Sequence, residues 1–186
     1  MEQAIRLLTI LEEAGFEAFI IGGAVRDMLM HVKPHDFDIV TSARPEQVIS
    51  VLGDANIETT GIIGKSFGVV VAIVDGKHYE VATYRKERYG ADSHRPEEVI
   101  YADTLEEDVK RRDFTVNGMA INRYKEVIDL VGGRRDIKHK VLSTIGNPTE
   151  RFQEDALRLF RACRFVAKLD FLPDKSLLEA MPKAFH

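Results

Sequence analysis

Two acids placed two residues apart, Asp36 and Asp38 around Phe37, and a glycine pair twelve residues upstream, Gly22–Gly23, are the first residues of this 186-residue chain whose types and spacing suggest chemistry. On a strand, residues two apart point to the same side, so both carboxylates converge while Phe37 enters the core. Carboxylates side by side repel unless a cation sits between them, and Mg²⁺ is commonly held this way beside substrate phosphates. A lone pair of this kind more often means two exposed strand-end acids. The glycines lie in Gly22–Gly23–Ala24–Val25–Arg26–Asp27, set between a strand-like and a helix-like run. Paired glycines let a backbone approach a phosphate closely, and the start of the following helix offers free N–H groups to an anion. Arg26 adds a charge-assisted partner. Such a turn is common by itself. Together the two motifs put a phosphate cradle and a metal clamp on consecutive strands.

The elements that must position these residues can be read from periodicity. Residues 2–14 place Ile5, Leu8 and Leu11–Glu12 at helical spacing before Gly15. Phe16–Ile21 reads as a buried strand, Ala24–Met30 as a helix, and His35–Val40 as a half-buried strand. Pro45 suits the first turn of a helix running to Leu52. Phe67–Val74 and Lys77–Tyr84 flank Asp75–Gly76, a hairpin turn signal. Residues 85–103, with Gly90 and Pro96, read as a long mobile loop, and Val127–Leu130 as a short strand. After Gly146–Asn147–Pro148 one amphipathic helix is expected from about Thr149 to Lys168. Beyond it, Leu172, Leu177 and Leu178 have no evident place to be buried, which suggests a longer natural chain.

Composition bounds the function classes. With 45% hydrophobic and 30% charged residues the chain is globular, and its length allows one domain plus a short appendage. The single Cys forms no internal disulfide, so a reducing compartment is expected. The N-terminus is too rich in Glu for a targeting peptide, and no apolar run has the roughly 18–20 residues of a membrane span. A cytoplasmic protein without a membrane partner is expected. The net charge of −4 is uneven: residues 132–168 hold nine Lys/Arg against four Asp/Glu, a local +5 on a remainder of −9. A basic stripe on an acidic body attracts phosphate locally, although a solvated helix face has the same composition.

The glycine pair, the gap and Asp36–Phe37–Asp38 resemble the DNA polymerase β-type nucleotidyltransferase superfamily. Arg111–Arg112–Asp113–Phe114–Thr115–Val116–Asn117 and Glu154–Asp155–Ala156–Leu157–Arg158 narrow the resemblance. They are similar to motifs of the class II tRNA nucleotidyltransferases (CCA-adding enzymes) and of the related bacterial poly(A) polymerases. The likeness runs from about residue 16 to residue 170. It implies an α+β fold: a polymerase β-like nucleotidyltransferase head, with a small mixed or antiparallel sheet flanked by helices, over residues 1–145. A helical neck would begin in residues 146–186.

The resemblance also implies roles. Asp36 and Asp38 would bind catalytic Mg²⁺, with Glu80 as candidate third carboxylate, although an exposed mid-strand acid reads the same way. Gly22, Gly23 and Arg26 would hold the triphosphate. Arg112 would pair with phosphate and Asp113 accept from a ribose hydroxyl, with Asn117 structural. In a continuous helix Glu154, Arg158 and Arg161 share an arc flanked by Asp155 and Arg151, opposite an apolar face of Phe152, Ala156, Leu159, Phe160, Cys163 and Val166. A carboxylate there accepts from the exocyclic amino group of C or A, and an arginine donates to ring acceptors. Asp155 with Arg158 would then admit only C and A, with Glu154, Arg161 and Arg164 as further contacts. Simple Glu154–Arg158 pairing on a solvated face is the alternative. Asp129–Leu130–Val131–Gly132–Gly133 resembles a hinge-like motif, and the loop with Asp92–Ser93–His94–Arg95–Pro96 a flexible loop needed for the terminal A. His31 and His35 find no support as ligands, and Cys163 reads as inert.

The expected partners are CTP, ATP and the tRNA 3′ end, and the expected state is a monomer or weak dimer. The alternatives are a poly(A) polymerase acting on RNA 3′ ends and a binding module that grips nucleotide without chemistry.

Overall fold

The computed structural model describes residues 1–63, 68–89 and 96–185. In chain order the first elements are α1 (Glu2–Glu13), β1 (Ala18–Ile21), α2 (Gly23–Leu29), β2 (Asp38–Thr41), α3 (Pro45–Asp54), β3 (Glu58–Ile63), β4 (Val69–Val74) and β5 (Lys77–Thr83). Then come β6 (Arg85–Tyr89), β7 (Pro96–Tyr101), α4 (Leu105–Lys110), a 3-10 turn (Thr115–Asn117), β8 (Met119–Ile121), β9 (Val127–Asp129) and α5 (Gly133–His139). The last are β10 (Val141–Leu142), α6 (Pro148–Glu154), α7 (Leu157–Leu169), β11 (Leu172–Pro173), α8 (Lys175–Ala180) and a closing 3-10 turn (Met181–Phe185).

Seven strands form one mixed sheet in the order β3-β4-β5-β2-β1-β8-β9. Only β2 and β5 run parallel, and the other neighbours are antiparallel. The Asp75–Gly76 turn joins β4 to β5 with both residues at positive φ (50° and 71°), the geometry of a tight hairpin. Two-residue alternation sorts the strand side chains onto two faces. Ile20, Ile39 and Val81 meet Ala4, Leu7, Leu8 and Leu11 of α1 and Val48 and Leu52 of α3. Ile21 and Val40 turn the other way, toward Leu105 and Val109 of α4 with Tyr84, Ala120 and Ile145. A further cluster joins Phe114, Val116 and Leu142 to Phe152, Leu159, Phe171 and Leu177.

Three expectations change. The segment 85–103 contains the antiparallel pair β6 and β7, with Arg85 opposite Tyr101, because the residues flanking its tip satisfy one another's backbone groups. Residues 90–95, and so Asp92–Ser93–His94–Arg95, lie outside the described residues, as does Phe67. Leu177 is fully buried in the third cluster, whereas Leu172 and Leu178 are exposed. The single helix expected over 149–168 is two helices, α6 and α7. No helix among the described residues is long and apolar enough to cross a membrane.

The Asp129–Gly133 segment is a pinned turn. Asp129 Oδ1 accepts from the N–H groups of Val131, Gly132 and Gly133, and Oδ2 from that of Arg134, at 2.8–3.2 Å. A Cβ on Gly133 would stand 2.4 Å from the Thr115 carbonyl oxygen, so α5 packs against the 3-10 turn at a distance only glycine allows. Gly133→Ala is therefore expected to destabilise the protein by about 1–3 kcal/mol. A Cβ on Gly53 in α3 meets nothing within 4 Å. Gly53→Ala should leave stability unchanged or raise it by about 0.4–1 kcal/mol. Urea denaturation of the two variants checks the contrast, and equal midpoints would refute the packing argument.

Candidate active site at the Asp38 edge of the sheet

Asp38 opens β2, opposite Ile21 in β1, and sits two residues before Val40. Val40 is in register with Ala82 of β5, and Glu80 lies two residues before Ala82. Asp38 and Glu80 therefore stand on the same face of adjacent parallel strands, a consequence of register that neither motif reveals alone. Asp36 precedes the strand rather than lying on it, which corrects the reading of His35–Val40 as one strand. Its partner on the expected two-residue spacing is thus reached through a lead-in segment anchored by Phe37 against the main core. Asp36 also lines a cleft of about 860 Å³ with Lys33, His35, Lys77 and His78.

The carboxylates strain against one another. Burial of its inner side raises the Asp38 carboxyl above the usual aspartate range, the negative charge of Glu80 adds to this, Arg112 opposes it, and Asp36 adds a further push. Gly22, at φ +82°, completes the edge: a Cβ there would stand 3.8 Å from Arg112 Nη1 and 3.9 Å from Asp38 Oδ2. Gly22, Asp38 and Arg112, distant in sequence, converge on one place. Oxygen donors in mutual repulsion suit a hard divalent cation, which needs only one or two carboxylates when phosphate and water supply the rest. Among the described residues no group of three or more His, Cys, Asp or Glu gathers closely enough to hold a metal ion. The negative charges of Glu80 and Asp36 both act on Asp38, which leaves this carboxylate suited to a cation.

The arginines are committed to protein partners. Arg26, only 4% exposed, donates from Nε and Nη2 to Asp27 Oδ1 (2.9 and 2.7 Å) and from Nη1 to Asn117 Oδ1 (2.7 Å). Its guanidinium lies 5.4 Å from the Phe165 ring centroid and backs Gly23, whose Cβ would be 3.4 Å from Nη2. The residue expected to grip a triphosphate is here a strut between α2, the 3-10 turn and α7. Arg112 donates from Nε and Nη2 to Asp108 Oδ2 at 3.2 and 3.0 Å, and Arg111 Nε donates to Asp108 Oδ1 at 3.0 Å. Asp113 accepts from Arg161 Nε at 2.7 Å, so two residues expected to touch substrate are paired with each other.

The break between α6 and α7 falls at Asp155, whose backbone is extended (φ −152°, ψ 106°). Its Oδ1 accepts from the Leu157 N–H at 2.9 Å, the local bond that makes aspartate a poor helix interior and a good helix start. The break resets the helical phase. Leu159 and Ala162 face inward with Arg158, whereas Phe160 (64% exposed) and Cys163 face solvent, against the expectation of a core face. Arg164 is exposed. Glu154 accepts from both Arg151 Nη1 (2.8 Å) and Arg158 Nη1. Three arginines then hold three residues of one turn on either side of Arg112. Arg151 donates to the Lys110 carbonyl (2.8 Å), Arg158 to the Arg111 carbonyl (3.3 Å) and Arg161 to Asp113.

Asp108 is the residue that sequence reasoning missed. It lies in the acidic run Glu106–Glu107–Asp108, which reads as a solvated helix face, and its i,i+4 spacing to Arg112 is too common to single it out. Only packing distinguishes its fully buried carboxylate from the exposed Glu106.

Because the folded state raises the Asp38 pKa, the chain binds that proton more tightly folded than unfolded. The associated stability is present below the unfolded value, about 3.9, and is lost as pH rises through the folded value. Asp38→Asn should therefore melt higher than wild type at pH 7 in EDTA, with the gap closing as pH falls toward 4. An equal or lower melting temperature at pH 7 would contradict the repulsion.

Comparison with known proteins places the fold in a family. Residues 18–143 match the family described as Poly A polymerase head domain. A CCA-adding enzyme of Bacillus pumilus is 45% identical over 183 residues, 98% of this chain and 44% of that protein. The Bacillus stearothermophilus CCA-adding enzyme in complex with CTP superposes with a TM-score of 0.86 at 38% identity, over 96% of this chain and 42% of its own. The Thermotoga maritima CCA-adding enzyme complexed with tRNA gives 0.79 at 26%, over 98% and 41%. The chain thus spans less than half the length of these relatives. With a family match across most of the sheet and its carboxylate edge, the chain belongs to the poly A polymerase head domain family.

Proposed function

We propose that this chain is the nucleotide-handling part of a tRNA nucleotidyltransferase that adds C and A to tRNA 3′ ends, without a nucleic-acid template, from CTP and ATP with release of pyrophosphate. The observation that carries the reading is the convergence of Asp38, Gly22 and Arg112, with Glu80 beside Asp38. Residues 1–145 would act as the head and residues 146–186 as the start of a helical neck. The CTP and tRNA bound by the solved relatives support the choice of substrates.

The chain's own groups account for most of the chemistry. Asp36 and Asp38 would hold Mg²⁺, which when bound lowers the pKa of the RNA 3′-hydroxyl and offsets charge on the phosphates. Gly22 leaves the backbone free of a side chain where the phosphates approach. Arg112 presents Nη1 toward the same edge and stabilises negative charge as it shifts toward the departing pyrophosphate. Asp113 exchanges its bond to Arg161 for a ribose hydroxyl, which frees Arg161 toward the nucleotide. Arg158, held by Glu154, and Asp155 would read the donor and acceptor edge shared by C and A, with Arg164 further along α7.

The test is incubation of the chain with tRNA ending before, within or after CC, with labelled CTP or ATP and MgCl₂, alongside calorimetric titration of each nucleotide. Stepwise addition of C and A that is abolished by Asp36→Ala and by Asp38→Ala is expected. Long A tails on unrelated RNA would instead make it a poly(A) polymerase. Nucleotide binding without incorporation, unchanged in the Asp38→Ala variant, would leave a binding module only.

A further inference from the structure

Asp108 is fully buried, and two guanidinium groups face it: Arg111 through Nε at 3.0 Å, and Arg112 through Nε and Nη2 at 3.2 and 3.0 Å. The backbone N–H of Arg85, the first residue of β6, also donates to Oδ1 at 3.2 Å. The guanidinium is a rigid planar fork, so fixing its Nε/Nη2 edge fixes the direction of Nη1. In Arg112 that remaining nitrogen is the one that faces Gly22 and Asp38. The backbone just before Arg112 is held from α6 and α7 through the Lys110 and Arg111 carbonyls, which leaves the side-chain direction to Asp108.

We propose that Asp108 is a positioning residue of the active site: it aims Arg112 Nη1 at the Asp38 edge, where the phosphates of the incoming nucleotide are received. The inference rests on the nucleotide-handling reading above. Arg111 occupies the other carboxylate oxygen and keeps Asp108 charged, consistent with a carboxyl held below the ordinary aspartate range by both arginines despite its burial. Glu106 and Glu107, beside it in sequence, pair outward with Lys110 and Lys86 and take no part. The shared bond from Arg85 places the root of the β6–β7 hairpin on the same carboxylate.

The experiment compares CTP binding, in MgCl₂, to the wild-type chain, Asp108→Asn, Arg112→Ala and the double variant, with thermal melts to show that each is folded. Losing a charged hydrogen-bond partner should weaken CTP binding about tenfold or more in Asp108→Asn. If Asp108 acts through Arg112, the double variant binds as Arg112→Ala does. Additive losses, or unchanged binding in Asp108→Asn, would overturn the proposal. A second readout needs no variant: in ¹⁵N spectra of the wild-type chain the Arg112 Nε–H should exchange far more slowly than that of Arg134. Fast exchange would refute the clamp even if Asp108→Asn does not fold. Should the wild-type chain bind neither CTP nor ATP, the functional reading fails, while the exchange measurement still decides whether Asp108 holds Arg112.

Discussion

A charge without solvent must be matched by a charge of opposite sign, and in this protein that requirement falls on Asp108. Its carboxylate is fully buried under α4 and is satisfied by Arg111, Arg112 and the Arg85 N–H. Breaking such a pair leaves an uncompensated buried charge, which costs about 3–5 kcal/mol. The turn from Lys110 to Asp113 cannot move away from α4 without that penalty. On its other side Arg151, Arg158 and Arg161 take its carbonyls and the Asp113 carboxylate. The segment that carries Arg112 is thus clamped between the sheet-packed helix α4 and the helices α6 and α7.

The opposite condition holds at the sheet edge. Asp38 and Glu80 are like charges brought close by strand register, Asp36 adds a third from the lead-in segment, and Arg112 is the cation that opposes them at Asp38. Such an arrangement costs stability and persists because the strands beneath it are tightly determined: Ile39, Val81 and Ile20 are fully buried directly behind the edge. A site that repels itself when empty gains most from a bound cation and a ligand that accepts charge from Arg112. The two halves of the centre are complementary. One is over-satisfied and rigid, and the other is under-satisfied and receptive.

Much of this was legible in the residues. Helix α1, the Pro45 start of α3 and the Asp75–Gly76 hairpin rest on local signals, periodicity and turn chemistry, that tertiary packing did not override. The Asp36–Asp38 pair and Gly22 stand out only together, because two individually common motifs fall on consecutive strands. The α6–α7 segment reads as one continuous helix because a periodic apolar pattern hides a single residue whose side chain competes for the backbone, and Asp155 is that residue. The break turns Phe160 and Cys163 from the expected core face to the surface. The motif assigns Arg26 to phosphate, and packing adds what no motif shows: its guanidinium also donates to Asp27 and to Asn117, a partner 91 residues away.

By itself the sequence determined a sheet bracketed by helices and marked the candidates for chemistry: acids at 36 and 38, glycines at 22 and 23, and arginines at 112, 158 and 161. These follow from residue type and short-range spacing, which the chain carries wherever it folds. Tertiary structure alone decided which of them face one another. That Glu80 stands beside Asp38 depends on parallel register between β2 and β5, and that Arg112 points at Gly22 depends on Asp108 being buried rather than solvated. Register and burial are set by the packing of the whole sheet and its helices. An acidic residue in an acidic run carries no local mark of having lost its water.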